Sequence, residues 1–312
     1  MAFDPEAAAV VMQPEAAGKG YWVGAPSVSR HEGRVLMTYR RRRPRGIDPD
    51  RGYQNAIGVS EDGLRFREVA VLDKGALGTT SIERTALLPD PAGGWIWLVS
   101  YVDPADGRWR TDALRAARLE DLPRGDRTPV LTAAEIGVEG VKDPVVVRGG
   151  DRIYLLLSCA ERAGGADHGA MHGSNDAYNT GLVRCFTGLA SSLDGRSWQW
   201  HGECLGTGSG WDRYQARIGG VVPAGPFWVA LYDGSASVEE NYEERLGVAV
   251  SSDLTRWRSL TPDGPAVVSR GATGSIRYAD VLAAQDGLWV YFECSRPDGA
   301  HDLRRPSIHW KP

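Results

Sequence analysis

Phenylalanine is scarce in this sequence, with 5 among 312 residues, and so is cysteine, with 4. No stretch approaches the roughly 18 consecutive apolar residues that a membrane-spanning helix needs, so no membrane partner is expected. Positive charge is not in excess: the net charge is −4 and the pI about 5.9, which leaves no general basic field for a nucleic-acid backbone. Residues 1–20 lack the basic start and apolar core of a secretory leader, and a cytoplasmic location is expected. Cys159, Cys185, Cys204 and Cys294 form no Cys-x-x-Cys pair, so no zinc or redox motif is supported. Cys159 and Cys294 fall in apolar runs as buried thiols. A Cys185–Cys204 bridge stays open, disfavoured by a reducing compartment.

What is abundant is glycine, proline and tryptophan, at 39, 18 and 11 residues. Glycine and proline at that level would interrupt helices too often; they favour short strands joined by tight turns, an all-β class. Five apolar, aromatic-rich runs recur, at residues 34–40, 95–102, 152–159, 227–233 and 288–294. Measured from Val35, Ile96, Ile153, Trp228 and Trp289, the intervals are 61, 57, 75 and 61 residues, the mark of a repeated unit. Each run is too short for a helix and reads as a strand. A strand and a tight turn precede it (residues 27–30 before His31-Glu32-Gly33, 144–148 before Gly149-Gly150-Asp151). A long polar loop follows, then a third strand (56–60, 247–251). Next comes a Ser-x-Asp-Gly-x-x-aromatic turn, from Ser60 to Phe66 and from Ser192 to Trp198, with a degenerate copy from Ser252-Asp253 to Trp257. A fourth strand (69–72, 266–269) ends the unit. The last unit has no fourth strand after Ser307–Trp310, and residues 8–13 are expected to supply it. The expectation is a single domain over residues 1–312, an all-β, five-bladed β-propeller whose N-terminal strand closes blade five; a frayed N-terminal tail is the other reading.

In such meanders the short turns share one face. The long loops, residues 41–52, 103–111, 161–179, 234–244 and 296–302, share the other, where sites are built. The innermost strands open on that face with polar residues: Glu83-Arg84, Lys142-Asp143, Tyr214-Gln215-Ala216-Arg217 and Arg277-Tyr278-Ala279-Asp280. Carboxylates and arginines converging on one axis predict an acid/base and anion-binding cluster; inter-blade salt bridges are the structural alternative.

Five such units, the Asp-Gly-x-x-Trp turns and Lys142-Asp143-Pro144-Val145 together resemble the five-bladed β-propeller glycosidases, the superfamily of arabinanases, β-xylosidases, invertases and mannoside phosphorylases. In the arabinanase and xylosidase group the resemblance implies three carboxylates: a base at the start of blade one, a pKa-setting Asp in blade three and an acid Glu in blade four. Asp143 matches the blade-three position. Ala25 stands where the base is expected, and Gln215 and Arg217 where the acid is expected. Glu83 and Asp280 are the expected substitutes, giving Asp143, Glu83 and Asp280 as the catalytic set. Arg84, Arg217 and Arg277 are expected to hold a carboxylate or phosphate, with Tyr278, Tyr214, Gln215, Trp22 and His172 as further substrate contacts. Sialidases, with six blades, share an arginine cluster and Asp-box turns, an analogy confined to anion binding.

The predicted function is a glycosidase-like enzyme acting on a small, anionic sugar or glycosylated metabolite. Two readings stay open beside it: a lyase, isomerase or cyclase using one base and an electrophilic clamp, and a carbohydrate-binding propeller without chemistry. No cofactor or metal is implied. His168 and His172 are four apart, but their Gly-rich segment reads as a loop. Arg40–Arg43 with Arg45 read as a solvated rim. His301-Asp302-Leu303-Arg304 is either a pocket-side segment or a turn held by its side chains. Of the tryptophans, Trp95, Trp97, Trp198, Trp228, Trp257 and Trp289 belong to the blade pattern. Trp22, Trp109 and Trp211 are the sugar-stacking candidates, and Trp200 and Trp310 are unassigned.

Overall fold

The computed structural model describes residues 3–165, 167–285 and 287–306, and the chain is all-β. After β1 (Ala9–Met12), four strands pair antiparallel in sequence order: β2 (Trp22–His31), β3 (Arg34–Arg43), β4 (Arg51–Ser60) and β5 (Arg67–Asp73). The same order repeats in β6 (Ala86–Pro89), β7 (Trp95–Val102), β8 (Trp109–Ala116) and β9 (Asp126–Leu131), and again in β10 (Gly140–Gly149), β11 (Arg152–Ala160), β12 (Cys185–Ser192) and β13 (Gln199–Leu205). A fourth meander comprises β14 (Gln215–Ala224), β15 (Phe227–Ser235), β16 (Arg245–Ser251) and β17 (Arg258–Ser259). The last has β18 (Ile276–Ala284), β19 (Gly287–Ser295) and β20 (His301–Arg305), and β1 pairs antiparallel with β20, Ala9 opposite Arg305. The segment before β1 is pinned by Glu6, whose carboxylate accepts from Ser269 Oγ (2.6 Å) and from the N–H groups of Arg270 and Gly271 (2.7 and 3.1 Å). Ser307–Trp310 lies outside the described residues.

The inner strands β2, β6, β10, β14 and β18 pack each on the next, and β18 returns to β2. Residues of all five line one cavity of about 250 Å³ at the short-turn end. The apolar core therefore lies in layers between successive meanders. Trp97, Val99, Ile57 and Leu72 fill one such layer, and Ile96, Leu155 and Ala190 another. Each layer removes large side chains from water at about 25 cal/mol per Å² of apolar area.

The aspartate turns are built alike. Asp62 Oδ1 accepts from Leu64 and Arg65 N–H at 2.8 and 2.9 Å, Asp194 Oδ1 from Arg196 and Ser197 at 2.8 Å each, and Asp253 Oδ1 from Thr255 and Arg256 at 2.8 and 3.1 Å. In the degenerate copy the capping serine is Ser251, one residue earlier than expected, and Leu254 takes the left-handed φ of 68° that Gly63 and Gly195 adopt (69° each). The strand expected at residues 266–269 is reduced to one bridge, Val267 to Leu246. Arg258–Ser259 takes that ladder directly after the Trp257 turn, and Pro262 and Pro265 supply no ladder donors. All four cysteines are buried free thiols, so the Cys185–Cys204 bridge is not formed; Cys204 Sγ instead contacts Thr187 O at 3.3 Å. Residues 168–172, read as a loop, form a short helix (His168–His172) because Asp167 caps it through Ala170 N–H.

Candidate functional site

Four of the inner strands carry a β-bulge at the same level, with register breaks between Gly24 and Ser27, Lys142 and Val145, Ile218 and Gly220, and Arg277 and Asp280. At three of them a non-glycine residue adopts positive φ: Ala25 (50°), Asp143 (58°) and Tyr278 (52°). Such a conformation costs on the order of 1 kcal/mol or more and re-aims a side chain. Inner and second strands place residue pairs beside the bulge: Gly24 with Arg40, Lys142 with Ser158 and Arg277 with Glu293 directly before it, and Arg217 with Asp233 one pair earlier. Glu83 takes the same place beside Ser100, whose carbonyl accepts its N–H.

These pairs join into one buried ionic network. Arg217 contacts Asp143 Oδ2 (3.2 Å), Asp233 Oδ2 (2.6 Å) and Glu244 Oε1 (3.4 Å). Arg277 lies 3.4 Å from Glu244 Oε2 and 3.6 Å from Glu293 Oε1, ion pairs without a hydrogen bond. Arg40 bridges Glu83 and Glu293, the second at 3.2 Å, and Arg42 stands 3.9 Å from Glu83. Gln215 Nε2 donates to Glu244 Oε1 (3.2 Å) and His301 Nδ1 contacts Glu293 Oε1 (2.8 Å). Tyr278 stands at the centre, its hydroxyl donating to Glu83 Oε2 (3.2 Å) and its N–H to Asp233 Oδ2 (2.8 Å). Gly24 has no side chain because Glu293 fills the space: a Cβ there would fall 2.6 Å from Glu293 Cγ.

The electrostatics follow from burial against pairing. Burial pushes Glu293 and Glu244 up, but the guanidinium of Arg277, with His301 and Arg40 on Glu293 and Arg217 on Glu244, overrides it and holds both carboxyls below the usual range. At Asp233 burial wins over Arg217 and the carboxyl is raised. Several network atoms are buried without a hydrogen-bond partner: Asp143 Oδ1, Asp233 Oδ1, Glu244 Oε2, and Arg277 Nε and Nη1. Unmade hydrogen bonds at buried polar atoms cost about 1–3 kcal/mol each, which the ion pairs of Arg277 with Glu244 and Glu293 offset in part.

Of the eleven expected site residues, Asp143, Glu83, Arg217, Arg277, Tyr278 and Gln215 meet in this network. Asp280 and Arg84 do not. They form their own pair at 3.2 Å, and Asp280, which also accepts from Val28 N–H (2.7 Å), lines the cavity at the opposite, short-turn end. Burial raises the Asp280 carboxyl against the pull of Arg84. Tyr214 is a wall residue donating to Tyr178 O (2.8 Å). His172 is buried against Glu139 (2.9 Å), and burial lowers its pKa against that partner; among the described residues no group of three or more His, Cys, Asp or Glu could hold a metal. Trp22 is buried, stacked on His301 (4.4 Å between centroids) and under the guanidinium of Arg42 (4.6 Å). It offers no open face to a sugar. Trp109 is 1% exposed, and Trp211 donates to Thr261 O and stacks on Tyr232. The solvated rim expected at residues 40–43 is corrected as well: β3 runs on through Arg43, and Arg40 is fully buried because carboxylates on both sides neutralise it. Trp200 packs against the backbone at Gly188, and Trp310 lies outside the described residues.

Sequence reasoning missed Arg40, Asp233, Glu244 and Glu293. Arg40, Asp233 and Glu293 lie in the later part of second strands that begin as apolar runs, and a charge following such a run was the available signal. Tyr242 was also missed; it lies over the cluster from the 234–244 loop, its ring 4.9 Å from Arg42 and 5.3 Å from Arg277.

No family model matches the sequence, and a search of curated proteins finds no match. Solved structures do match in fold. A thermostable family-43 glycoside hydrolase is similar at TM-score 0.62 and 14% identity, over 95% of this chain and 91% of that one. A β-1,2-mannobiose phosphorylase from Listeria innocua, in complex with β-1,2-mannobiose, is similar at TM-score 0.60 and 15% identity, over 96% and 94%. A GH43_1 enzyme from Xanthomonas citri complexed with xylose is similar at TM-score 0.63 and 11% identity, over 96% and 88%. The chain therefore shares the fold of the propeller glycoside hydrolases and phosphorylases.

Proposed function

We propose that the five meanders are the blades of a closed five-bladed propeller, and that its long-loop end processes a small, anionic sugar as a glycosidase-like enzyme. The observation that carries this reading is Asp143. It sits at an inner-strand bulge with positive φ, Arg217 holds Oδ2, and Oδ1 is buried with no hydrogen-bond partner among the described residues. A carboxyl fixed by one oxygen and open at the other suits proton transfer to or from a sugar oxygen. The similar solved structures, a family-43 glycoside hydrolase, a β-1,2-mannobiose phosphorylase and a GH43_1 enzyme, support the same class.

The anion-holding arginines in this reading are Arg277 and Arg42, with Arg217 behind them; Arg84 is committed to Asp280 at the other end of the axis. Among the described residues Arg277 makes no hydrogen bond through Nε or Nη1, and Arg42, between the Trp22 and Tyr242 rings, has Glu83 at 3.9 Å as its ion-pair partner, so both guanidiniums keep N–H groups for a carboxylate or phosphate. Tyr242 covers them and has to swing aside for a sugar to pass.

Asp143→Asn tests the proposal against a panel of chromogenic neutral and anionic glycosides. Loss of turnover by roughly 10²–10⁴-fold, with an unchanged circular dichroism spectrum and melting transition, is the expected result. Full activity in the variant, or no turnover of any glycoside by the parent protein, overturns it.

A further inference from the structure

The cavity at the short-turn end of the axis, about 250 Å³, takes no part in the ionic network at the long-loop end. Strand direction orders its lining. β2 runs from Trp22 at the long-loop end to His31 at the short turn, so Val28 lies deeper than Arg30. Each inner strand gives the chamber one apolar wall residue: Val28, Leu87, Val145, Val221 and Val281. Asp280 precedes Val281 on β18 and forms the floor, where its charge is balanced. Oδ2 accepts from Val28 N–H at 2.7 Å and pairs with Arg84 Nη2 at 3.2 Å, and Oδ1 accepts from Val281 N–H at 2.8 Å.

The mouth is charged in the opposite sense from an acidic rim. Arg30 and Arg148, on β2 and β10, are exposed there, and each donates to a backbone carbonyl, Gly33 O at 3.3 Å and Pro89 O at 3.0 Å. Among the described residues neither has a carboxylate partner. Glu32, the acid next to the mouth in sequence, stands 3.8 Å from His31 and 3.9 Å from Arg34 instead. His31 and Trp95 meet edge to face at 4.7 Å and add ring surface to the mouth. A water-filled funnel on a propeller axis needs none of this, since apolar walls facing water forgo about 25 cal/mol per Å². Two guanidiniums without carboxylate partners, above an apolar chamber with a neutral floor, select a guest by charge at one end and by shape at the other.

We propose that this cavity is a second binding site, for a small amphipathic anion that seats an apolar body in the chamber and one carboxylate at the mouth with Arg30 and Arg148. A cavity of roughly 150 Å³ takes benzene, so this one holds an aryl ring with a short chain. The arginines repel a cationic guest, and a neutral one gains no ion pair from them. A sugar acid would press hydroxyl groups against valine and leucine, where they find few partners. The site does not depend on the chemistry assigned to Asp143, because Asp280 and Arg84 separate from that network into their own pair.

The test is titration calorimetry of the full chain with 3-phenylpropionate, its amide 3-phenylpropionamide, and 3-phenylpropylamine. One saturable equivalent of the carboxylate per chain is expected, at least about 10-fold tighter than the amide, with no binding of the amine. Arg30→Gln/Arg148→Gln, which keeps the side-chain stems, is expected to weaken the carboxylate by about 10–100-fold with the melting transition unchanged. Val221→Phe, which fills the chamber and leaves both arginines, is expected to abolish binding. Asp143→Asn is expected to leave the affinity as it was. No saturable binding of the carboxylate, equal affinity for the amide, or affinity retained in Arg30→Gln/Arg148→Gln or in folded Val221→Phe overturns the proposal. So does loss of binding in Asp143→Asn, which would place the probe at the long-loop end. Glycoside turnover is read separately, so either proposal fails without the other.

Discussion

Gly24 shows how closely the charged cluster is fitted. The Glu293 side chain occupies the volume above its backbone, so the position admits hydrogen and nothing larger. Gly24→Ala is expected to destabilise the protein by about 1–3 kcal/mol, as overpacking does in a filled interior, read as a lower midpoint in urea unfolding without a change of slope. An unchanged midpoint would show that Glu293 can give way and that the cluster is looser than its distances state. At this scale the sequence was legible where polarity was out of place. Glu83, Asp143, Arg217 and Arg277 sit in strands that are otherwise apolar or small, and the fold brings them together. The second-strand charges Arg40, Asp233 and Glu293 were equally out of place. They went unread because each follows a hydrophobic run and looks like the approach to a loop, although the strand continues two or three residues beyond it. Asp280 was misplaced for a different reason. The bulge at Tyr278 reverses the facing of the next residues, and no residue type announces a bulge.

The elements that repeat most faithfully are the aspartate turns. Backbone N–H groups of Arg65 and Leu64 hold Asp62 down to about 2, and those of Ser197 and Arg196 do the same for Asp194. A carboxyl depressed in the folded chain adds stability above its unfolded pKa, near 3.8, and loses it as pH falls toward 2. The double variant Asp62→Ala/Asp194→Ala is therefore expected to melt below the parent at pH 7, with the gap closing between about pH 4 and 2. A gap independent of pH would assign the effect to lost turn geometry alone. These turns and the second strands were readable because each is specified within seven or eight residues. The fourth strand of the fourth meander and the His168–His172 helix were not. One depends on which of two segments reaches the β16 edge, the other on a cap by Asp167 within a glycine-rich stretch.

Across the whole molecule the last meander takes its outermost strand from a distant part of the chain. Removal of residues 1–15 strips β1 from β20, frees the last meander's outer edge and deletes the Glu6 contacts at 269–271. A substantial fall in melting temperature and a tendency to associate through the bared edge are expected by calorimetry and light scattering; an unaltered transition would reduce β1 to a decoration. The repeat intervals made the all-β class and the recurring meanders readable before any chemistry was, because repeat spacing is a whole-chain signal and tolerates local errors. The site needs registers correct to one residue in five strands at once, which spacing alone does not supply.

The partnership of residue 9 with residue 305 also sets an order of events during synthesis. Four meanders consist of hairpins that can form as they leave the ribosome, but β1 has to wait for β20. At about 5–20 residues per second, that wait is roughly 15–60 s. Throughout it Ala9-Val10-Val11-Met12 is an unpaired apolar strand, and Glu6 and Glu15 on either side of it act as gatekeepers against premature pairing with a neighbouring nascent chain. In the finished protein both acids are employed again, Glu6 at the 269–271 turn and Glu15 with Arg43 and Tyr53. The charges that keep the waiting strand apart from other chains thus become its fastenings.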